Sequence, residues 1–136
     1  MIEVHGTNIV VANLDRTLRQ IRVAAAGGIV EFAEIEMTEA KDRTPVDTGA
    51  LRASGHVINP VNGDELTATL GFGGPAGIGN QGDTNHVDVG YALTVHEDLD
   101  AHHPVGQAKY LESPIRESAR FFAIRVANTM RRFLDF

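Results

Sequence analysis

The sequence predicts an α+β fold in which a long N-terminal helix and a C-terminal helix pack on a small antiparallel β-sheet with a long glycine-rich hairpin arm. Two observations carry this prediction. Apolar residues recur at helical spacing near both ends of the chain, and apolar and polar residues alternate between them. A length of 136 residues with 43% hydrophobic content is enough for one core but not two, so residues 1–136 are expected to form a single domain.

Composition and charge exclude several classes of function. The chain has no cysteine, which removes disulfides, thiolate metal sites and cysteine nucleophiles together. Its net charge of −6 argues against a protein whose main task is to bind phosphate backbones. No apolar run approaches the roughly 18 residues that span a bilayer, and the N-terminal MIEVHGTN lacks the pattern of a secretion signal. We therefore expect neither membrane contact nor export.

The N-terminal region predicts a short strand over residues 2–5 and then a helix that runs to about Lys41. At about 1.5 Å per residue this helix is roughly 50 Å long. Gly27 and Gly28 interrupt its apolar stripe and indicate a bend or a close crossing of another backbone. The stripe expected to be buried consists of Val11, Leu14, Leu18, Ile21, Ala25, Phe32 and Ile35.

Four glutamates lie in the second half of this helix: Glu31, Glu34, Glu36 and Glu39. No histidine and no second carboxylate cluster accompanies them in the sequence. The pattern therefore predicts a solvated outer face of the helix, rather than a metal site or an acid–base site.

The stretch TPVDTGALRAS, residues 44–54, is predicted to be an ordered corner between the helix and the sheet. Pro45 cannot donate a backbone N–H and disfavours helical backbone before it, so the helix should end there. Asp47 or Thr48 can cap a short following turn, in which Leu51 points into the core.

The region after the corner predicts three antiparallel strands over residues 55–61, 65–72 and 86–96. Asn62-Gly63-Asp64 is typical of a hairpin turn between the first two. The third strand includes most of YALTVHE, and its residues Val87, Val89, Tyr91, Leu93 and Val95 are expected on one face.

Residues 71–86, GFGGPAGIGNQGDTNH, contain a formal G-x-G-x-x-G pattern. A dinucleotide site needs a helix after the glycines, whereas a strand is predicted here, so we reject that interpretation. The preferred alternative is a mobile hairpin arm that becomes ordered against a partner.

Three histidines in HEDLDAHHP, residues 96–104, raise the alternative of a zinc site. Their spacing does not match H-E-x-x-H, in which two histidines share one helical face, and Pro104 argues against a helix. We therefore predict exposed loop histidines and no metal ion or other cofactor.

The last segment predicts a turn that fixes Tyr110 and Leu111 to the core, followed by a helix from Pro114 to about Phe133 capped by Ser113. Its predicted buried stripe is Ile115, Ala119, Phe122, Val126, Met130 and Phe133. Phe121, Ile124 and Leu134 lie off this stripe and form a second apolar edge, which indicates that another subunit covers them.

Charge is distributed unevenly along the chain. Residues 105–136 contain six basic and three acidic side chains, which gives +3, whereas residues 83–100 contain five acidic side chains and no Lys or Arg, which gives −5. This asymmetry suits electrostatic pairing between neighbouring copies. Two solvated faces of unlike sign are the alternative.

The long helix, TPVDTGALRASG, YALTVHE and GQAKYLESPIRES, taken in this order, resemble the neck proteins of long-tailed bacteriophages and prophages. These proteins are called head–tail connector, tail-completion or minor tail components. The resemblance implies a structural virion protein, assembled in the host cytoplasm, that joins the head to the tail as a ring of about six copies around the DNA channel. Its implied partners are further copies of itself, the head-completion or connector protein, and the tail tube or tail terminator protein.

A structural role of this kind makes specific residues candidates for the subunit interface, although they could instead support the fold of each copy. They are Pro45, Asp47, Thr48, Gly49, Leu51, Arg52, Gly74, Ile78, Gly79, Tyr91, His96, Glu97, Phe121 and Arg131. Two other functions are weighed against a connector. One is a tail terminator or other tail-tube cap of the same assembly, and the other is a small hydrolase using His96 and Glu97, which would lack a recognisable nucleophile.

Overall fold

Helix α1, Thr7–Arg43, is the element on which most of the other elements pack. The computed structural model describes residues 2, 5–46, 49–58, 66–73 and 92–135. As predicted, α1 ends at the corner, where Thr44 has the extended backbone (φ −68°, ψ 130°) that a residue before proline prefers. The Thr44 side chain is buried, and its hydroxyl donates to the Ala40 carbonyl at 2.7 Å. This bond satisfies a carbonyl of the last helical turn.

The C-terminal segment forms helix α4 (Glu112–Ser118), a 3₁₀ turn (Ala119–Phe121) and helix α5 (Phe122–Leu134). It begins two residues earlier than predicted, and Ser113 is not its cap. The reason is that the Ser113 N–H already donates to the Lys109 carbonyl at 2.9 Å, which places Ser113 inside the first turn.

Helix α5 packs antiparallel along the second half of α1. A Cβ atom at Gly28 would lie 3.0 Å from the carbonyl oxygen of Val126. Further along, the rings of Phe32 and Phe122 meet edge to face at 5.1 Å. The prediction of a close crossing at the two glycines is therefore confirmed.

The sheet has two described strands, β1 (His56–Ile58) and β2 (Thr69–Gly71), after the short helix α2 (Ala50–Ala53). The strands are antiparallel, with Val57 opposite Leu70, as predicted, but they are shorter. The predicted turn at residues 62–64 and most of the glycine-rich arm lie outside the described residues.

The third predicted strand is wrong where its last residues are described, because Ala92–Glu97 forms helix α3. Ala92 is buried, and Val95 and His96 are half-buried, whereas Leu93 is 72% exposed. This spacing of three and four residues belongs to one helical face rather than to alternating strand faces. Residues 86–91 lie outside the described part of the chain.

A small core forms around Tyr110, which is almost completely buried beside Leu51 and Ala92. The Tyr110 hydroxyl donates to the Ala92 carbonyl at 2.9 Å, and its ring meets Phe72 edge to face at 5.0 Å. Leu111 packs against the same cluster. The prediction that the turn before the C-terminal helix fixes these residues to the core is confirmed.

The predicted burial of the α1 stripe is correct for Phe32 but wrong for the first half of the helix. Helix α5 ends on α1 at a surface cavity that is lined in part by Val23 and Phe133. It therefore does not cover the residues of α1 that precede this cavity. Ile35 is exposed as well. The apolar side chains left 39 to 64% exposed are Ile9, Val10, Val11, Leu14, Leu18, Ile21 and Val23.

The predicted burial of the C-terminal stripe needs a similar correction. Val126 and Met130 are half-buried against α1, but Ala119, Phe122 and Phe133 are exposed. The 3₁₀ turn changes the angular position of the residues around it relative to a continuous helix, so a stripe drawn through the turn does not stay on one face.

The predicted acidic outer face of α1 is wrong for Glu36, which is buried, and correct only in part for Glu31, whose side chain is 43% exposed but bonded to α5. Glu36 is only 2% exposed, and its carboxylate accepts a hydrogen bond from Arg125 at 3.2 Å. Glu31 accepts from Arg132 at 2.6 Å and from the Thr129 hydroxyl at 3.0 Å. These carboxylates therefore join α1 to α5. Glu34 and Glu39 are exposed, as predicted.

Candidate interaction surfaces

The corner at Pro45 is covered by the loop that precedes α4. The Gln107 N–H donates to the Arg43 carbonyl at 2.9 Å. Gly106 has a left-handed φ of 89°, and a Cβ atom there would lie 2.5 Å from the Pro45 nitrogen. Because the two backbones touch, Pro45 is buried and serves as a packing surface for the loop within one copy.

Arg52 projects from α2 toward the C-terminal end of α1. Its Nη2 donates to the carbonyl of Thr44 at 3.2 Å and to that of Asp42 at 3.4 Å. A guanidinium at this position satisfies carbonyls that lack helical partners and favourably opposes the negative end of the helix dipole.

The other described residues of the corner also have structural contacts. Gly49 has a φ of 80° and precedes α2, while Leu51 lies in the core. A Cβ atom at Gly55 would lie 2.7 Å from Lys41 Cε and 2.8 Å from a Phe72 ring carbon. The described part of the motif TPVDTGALRASG, residues 44–46 and 49–55, thus contains residue types that its backbone path requires.

His96 is held by two hydrogen bonds on opposite sides of its ring. Its Nδ1 lies 2.7 Å from Glu97 Oε1, and its Nε2 accepts the Glu112 N–H at 3.3 Å. The tautomer protonated on Nδ1 satisfies both contacts. The ring also meets Tyr110 edge to face at 5.0 Å, so His96 links α3 to the start of α4.

Lys109 forms ion pairs with both carboxylates beside His96. Its ammonium lies 2.5 Å from Glu97 and 3.2 Å from Glu112. Hydrogen bonds from Lys109, and secondarily from His96, lower the pKa of Glu97, and the hydrogen bond from Lys109 likewise lowers the pKa of Glu112. The same contacts raise the pKa of Lys109, first through Glu97 and then through Glu112.

These residues also have the composition of a metal site, because ligand atoms of His96, Glu97 and Glu112 lie within 4.8 Å of one another. However, the Lys109 ammonium already occupies the position between the two carboxylates. A cation there would have to displace Lys109 and the Nδ1 hydrogen bond. The arrangement fits an internally satisfied ion-pair network better than a metal centre.

Phe121 and Arg131 are both exposed on the C-terminal segment. The Arg120 guanidinium lies over the Phe121 ring, 4.6 Å from the ring centroid. The nearby Ile124 is 52% exposed. Arg131 makes a long hydrogen bond of 3.4 Å to Asn128. This edge has the apolar character that the sequence predicted for a covered surface.

The remaining sequence-predicted interface residues lie outside the described part of the chain: Asp47, Thr48, Gly74, Ile78, Gly79 and Tyr91. The surface that sequence reasoning missed is the uncovered first half of α1. A signal for it was present, because both helices were expected to bury their stripes on the sheet, and the stripe from Val11 to Ile35 is long for a sheet of three short strands.

Internally satisfied polar clusters combined with uncovered apolar helix surface are typical of a protein that functions in an assembly. Residues 10–113 match the model of the HK97-gp10-like family, described as "Bacteriophage HK97-gp10, putative tail-component". The match covers more than half of the sequence, and the chain belongs to this family. No curated protein and no solved structure matches the chain.

Family membership confirms the resemblance to phage neck and tail proteins. The family is one of phage tail components, which supports a structural role in the tail or neck of a virion, in contact with other virion proteins. Within the described residues, no helix is both long enough and apolar enough to cross a membrane.

Proposed function

We propose that this protein joins the head of a long-tailed phage or prophage-like particle to its tail. About six copies would form a ring between the portal or connector complex and the tail tube, with DNA passing through the lumen. The net charge of −6 suits a channel wall that does not retain DNA. Its neighbours would be the head-completion or connector protein and the tail tube or tail terminator protein.

The observation that carries this proposal is the uncovered first half of α1. Seven large apolar side chains project from a helix that no other described element covers over this length. Exposed apolar surface of this extent marks a contact with another chain. Together with the exposed edge at Phe121 and Ile124, it provides two different surfaces, and a head-to-tail ring needs two different surfaces.

The predicted interface residues remain part of this proposal. Phe121 and Arg131 would contact a neighbour directly. The described corner residues and His96 would act indirectly, because they fix the position of α2, α3 and the loop before α4.

Deletion of the gene followed by electron microscopy of the particles tests the proposal. Loss of a joining protein leaves DNA-filled heads and finished tails that are not attached to each other. Complementation with the intact gene should restore joined particles. Joined particles in the deletion strain would contradict the proposal.

A tail terminator is the second candidate, because the family description names a tail component. The same images distinguish the two functions. Loss of a terminator gives tails of irregular length, whereas loss of a connector leaves tail length unchanged. Native mass spectrometry of the purified protein at two concentrations would measure the number of copies in any ring.

A further inference from the structure

The surfaces at and beside the two ends of α1 differ in charge, and both carry exposed apolar side chains. The helix has 37 residues, so its ends are about 55 Å apart at about 1.5 Å per residue. One end is the uncovered first half, residues 7–23, here called the basic tip. The other end adjoins α3 and the loop after it through the Gln107–Arg43 and Gly106–Pro45 contacts.

The basic tip combines apolar residues with unpaired arginines. Arg16, Arg19 and Arg22 are opposed within it only by Asp15, which gives a net charge of +2 (3 − 1). All four side chains are exposed, and none makes an ion pair with another described residue. Asp135 shares a hollow with Arg16 and Arg19 but is not paired with either.

The opposite end adjoins a segment of the other sign, residues 93–100, here called the acidic patch, in which all residues except Val95 and His96 are exposed. Leu93 and Leu99 are 72% and 73% exposed. Asp98 and Asp100 are exposed and make no ion pair within the described residues. Asp98 instead accepts the N–H groups of Asp100 and Ala101, both at 3.1 Å, which orders the segment.

We propose that the basic tip of one copy docks on the acidic patch of the next copy. Apolar residues would meet at the centre of the contact, and the arginines would face Asp98 and Asp100 around it. The occupant of the uncovered helix face is thus a second copy of this chain. This inference deepens the proposed function, on which it rests, by assigning the two surfaces that join neighbouring copies.

Charge favours this head-to-tail contact over a two-fold contact between two basic tips. A two-fold pairing would bring the same three arginines of each copy together, and like charges across an interface are unfavourable. A contact between unlike ends repeats from copy to copy. It closes into a ring when the rotation between copies permits.

Self-association of the purified full chain, measured by sedimentation velocity at low salt, tests the inference. A tip variant, R16E/R19E/R22E, and a patch variant, D98N/D100K, should each associate at least about tenfold more weakly than the wild type. Asp98→Asn keeps the oxygen that accepts the two N–H groups. An equimolar mixture of the two variants should recover pairwise association, because the intact basic tip of the patch variant can dock on the intact acidic patch of the tip variant.

Matched controls separate charge from other effects. R16K/R19K/R22K keeps the charge and should associate like the wild type. L14A/L18A keeps every charge but removes apolar surface, and should weaken association without removing its salt dependence. Circular dichroism would verify that each variant retains its helices.

Three outcomes would overturn the inference: a wild-type chain that stays monomeric at low salt, a patch variant that associates normally, or a mixture that recovers nothing. These solution measurements do not depend on where the protein lies in a particle. Microscopy that placed it away from the head–tail junction would therefore refute the proposed function and leave this contact standing.

Discussion

At the scale of single residues, Gly106 and Gly49 show how the corner restricts residue type. Both have left-handed backbone, with φ of 89° and 80°. They differ in the space around them, because a Cβ atom at Gly106 would strike the Pro45 and Thr44 backbone, whereas nothing lies within 4 Å of one at Gly49. A substitution at Gly49 therefore tests backbone strain alone, whereas a substitution at Gly106 tests backbone strain together with a steric clash.

We expect Gly106→Ala to lower the free energy of unfolding more than Gly49→Ala does. Gly49→Ala should cost about 1–2 kcal/mol, the strain of left-handed backbone for an L-residue. Gly106→Ala adds a clash with backbone that cannot move aside, for a total of about 3 kcal/mol or more. Urea denaturation of both variants measures the difference, and equal losses would contradict the described contact between Gly106 and Pro45.

Replacement of Lys109 by Gln should give a pH-dependent loss of stability. The pKa values of Glu97 and Glu112 are lowered in the folded chain from 4.5, so the stability they gain from Lys109 is present above that pH and is lost as the pH falls through the lowered values. The raised pKa of Lys109, from 10.5, makes the same contribution disappear at high pH. The difference in free energy of unfolding between Lys109→Gln and wild type should therefore be largest between the acidic pH at which the glutamates are protonated and the alkaline pH at which Lys109 loses its proton.

Urea denaturation of Lys109→Gln and wild type at about pH 7 and about pH 3 measures this difference. Arg116→Gln is the control, since its ion pair to Glu112 involves a side chain that is 77% exposed, and it should change little at either pH. A loss for Lys109→Gln that is equal at both pH values would indicate a packing effect rather than the ion pairs.

Residue identity alone could not predict which glutamates of α1 are buried. Glu36 and Glu34 have the same side chain on the same helix, yet one is buried and the other exposed. The difference depends on Arg125, which lies 89 positions away in the sequence. Pro45 is the opposite case, because its effect on the preceding residue is local, and the end of α1 was predicted correctly.

At the scale of elements, the contact between α1 and α5 depends on Gly28 more than on Gly27. A Cβ atom at Gly28 would lie 3.0 Å from the Val126 carbonyl oxygen and 3.2 Å from its Cα, both backbone atoms. A Cβ atom at Gly27 would lie 3.1 Å from the Phe133 ring, an exposed side chain that can rotate away. Only the first contact would force the two helices apart.

We expect Gly28→Ala to destabilise the protein by about 1–3 kcal/mol, because α5 must move to accommodate the methyl group. Gly27→Ala should be neutral or stabilising by up to about 1 kcal/mol, the gain in helix propensity. Thermal or urea denaturation of the two variants provides the comparison. If Gly28→Ala were the more stable of the two, the crossing described here would be wrong.

Helix α3 was predicted as a strand because its six residues satisfy both patterns. Leu93 and Val95 alternate with polar residues, but Ala92, Val95 and His96 also have helical spacing. The contacts of Tyr110 with the Ala92 carbonyl and the His96 ring stabilise the helical alternative. These contacts come from a segment 14 or more positions later, so the local pattern could not decide between them.

At the scale of the whole molecule, the stability of α1 should differ between its two halves. The second half is covered by α5 and the sheet, whereas residues 7–23 are exposed throughout. Most of the stability of a helix in a protein comes from tertiary packing of its apolar face, which residues 7–23 lack. The sequence predicted the helix and its stripe, but not that the described elements leave the first half of that stripe uncovered.

Hydrogen exchange followed by mass spectrometry should detect this difference. In dilute monomer, amides of residues 11–20 should exchange much faster than those of residues 28–40, because only local helix formation protects them. In assembled material, residues 11–20 should become protected while residues 28–40 change little. Equal protection of both segments in the monomer would contradict the uncovered state of the first half.

The uncovered first half of α1 is attached to the rest of the molecule at one end only, so a small change in its direction moves its other end by a larger distance. From Ala24, where burial begins, to Thr7 the helix extends about 25 Å at about 1.5 Å per residue. A tilt of about 10° at the anchored end would therefore displace the far end by about 4 Å, without any change in the packing around Tyr110. Each subunit of an assembly could in this way reach a neighbour whose spacing or rotation is slightly irregular while its own interior stays intact.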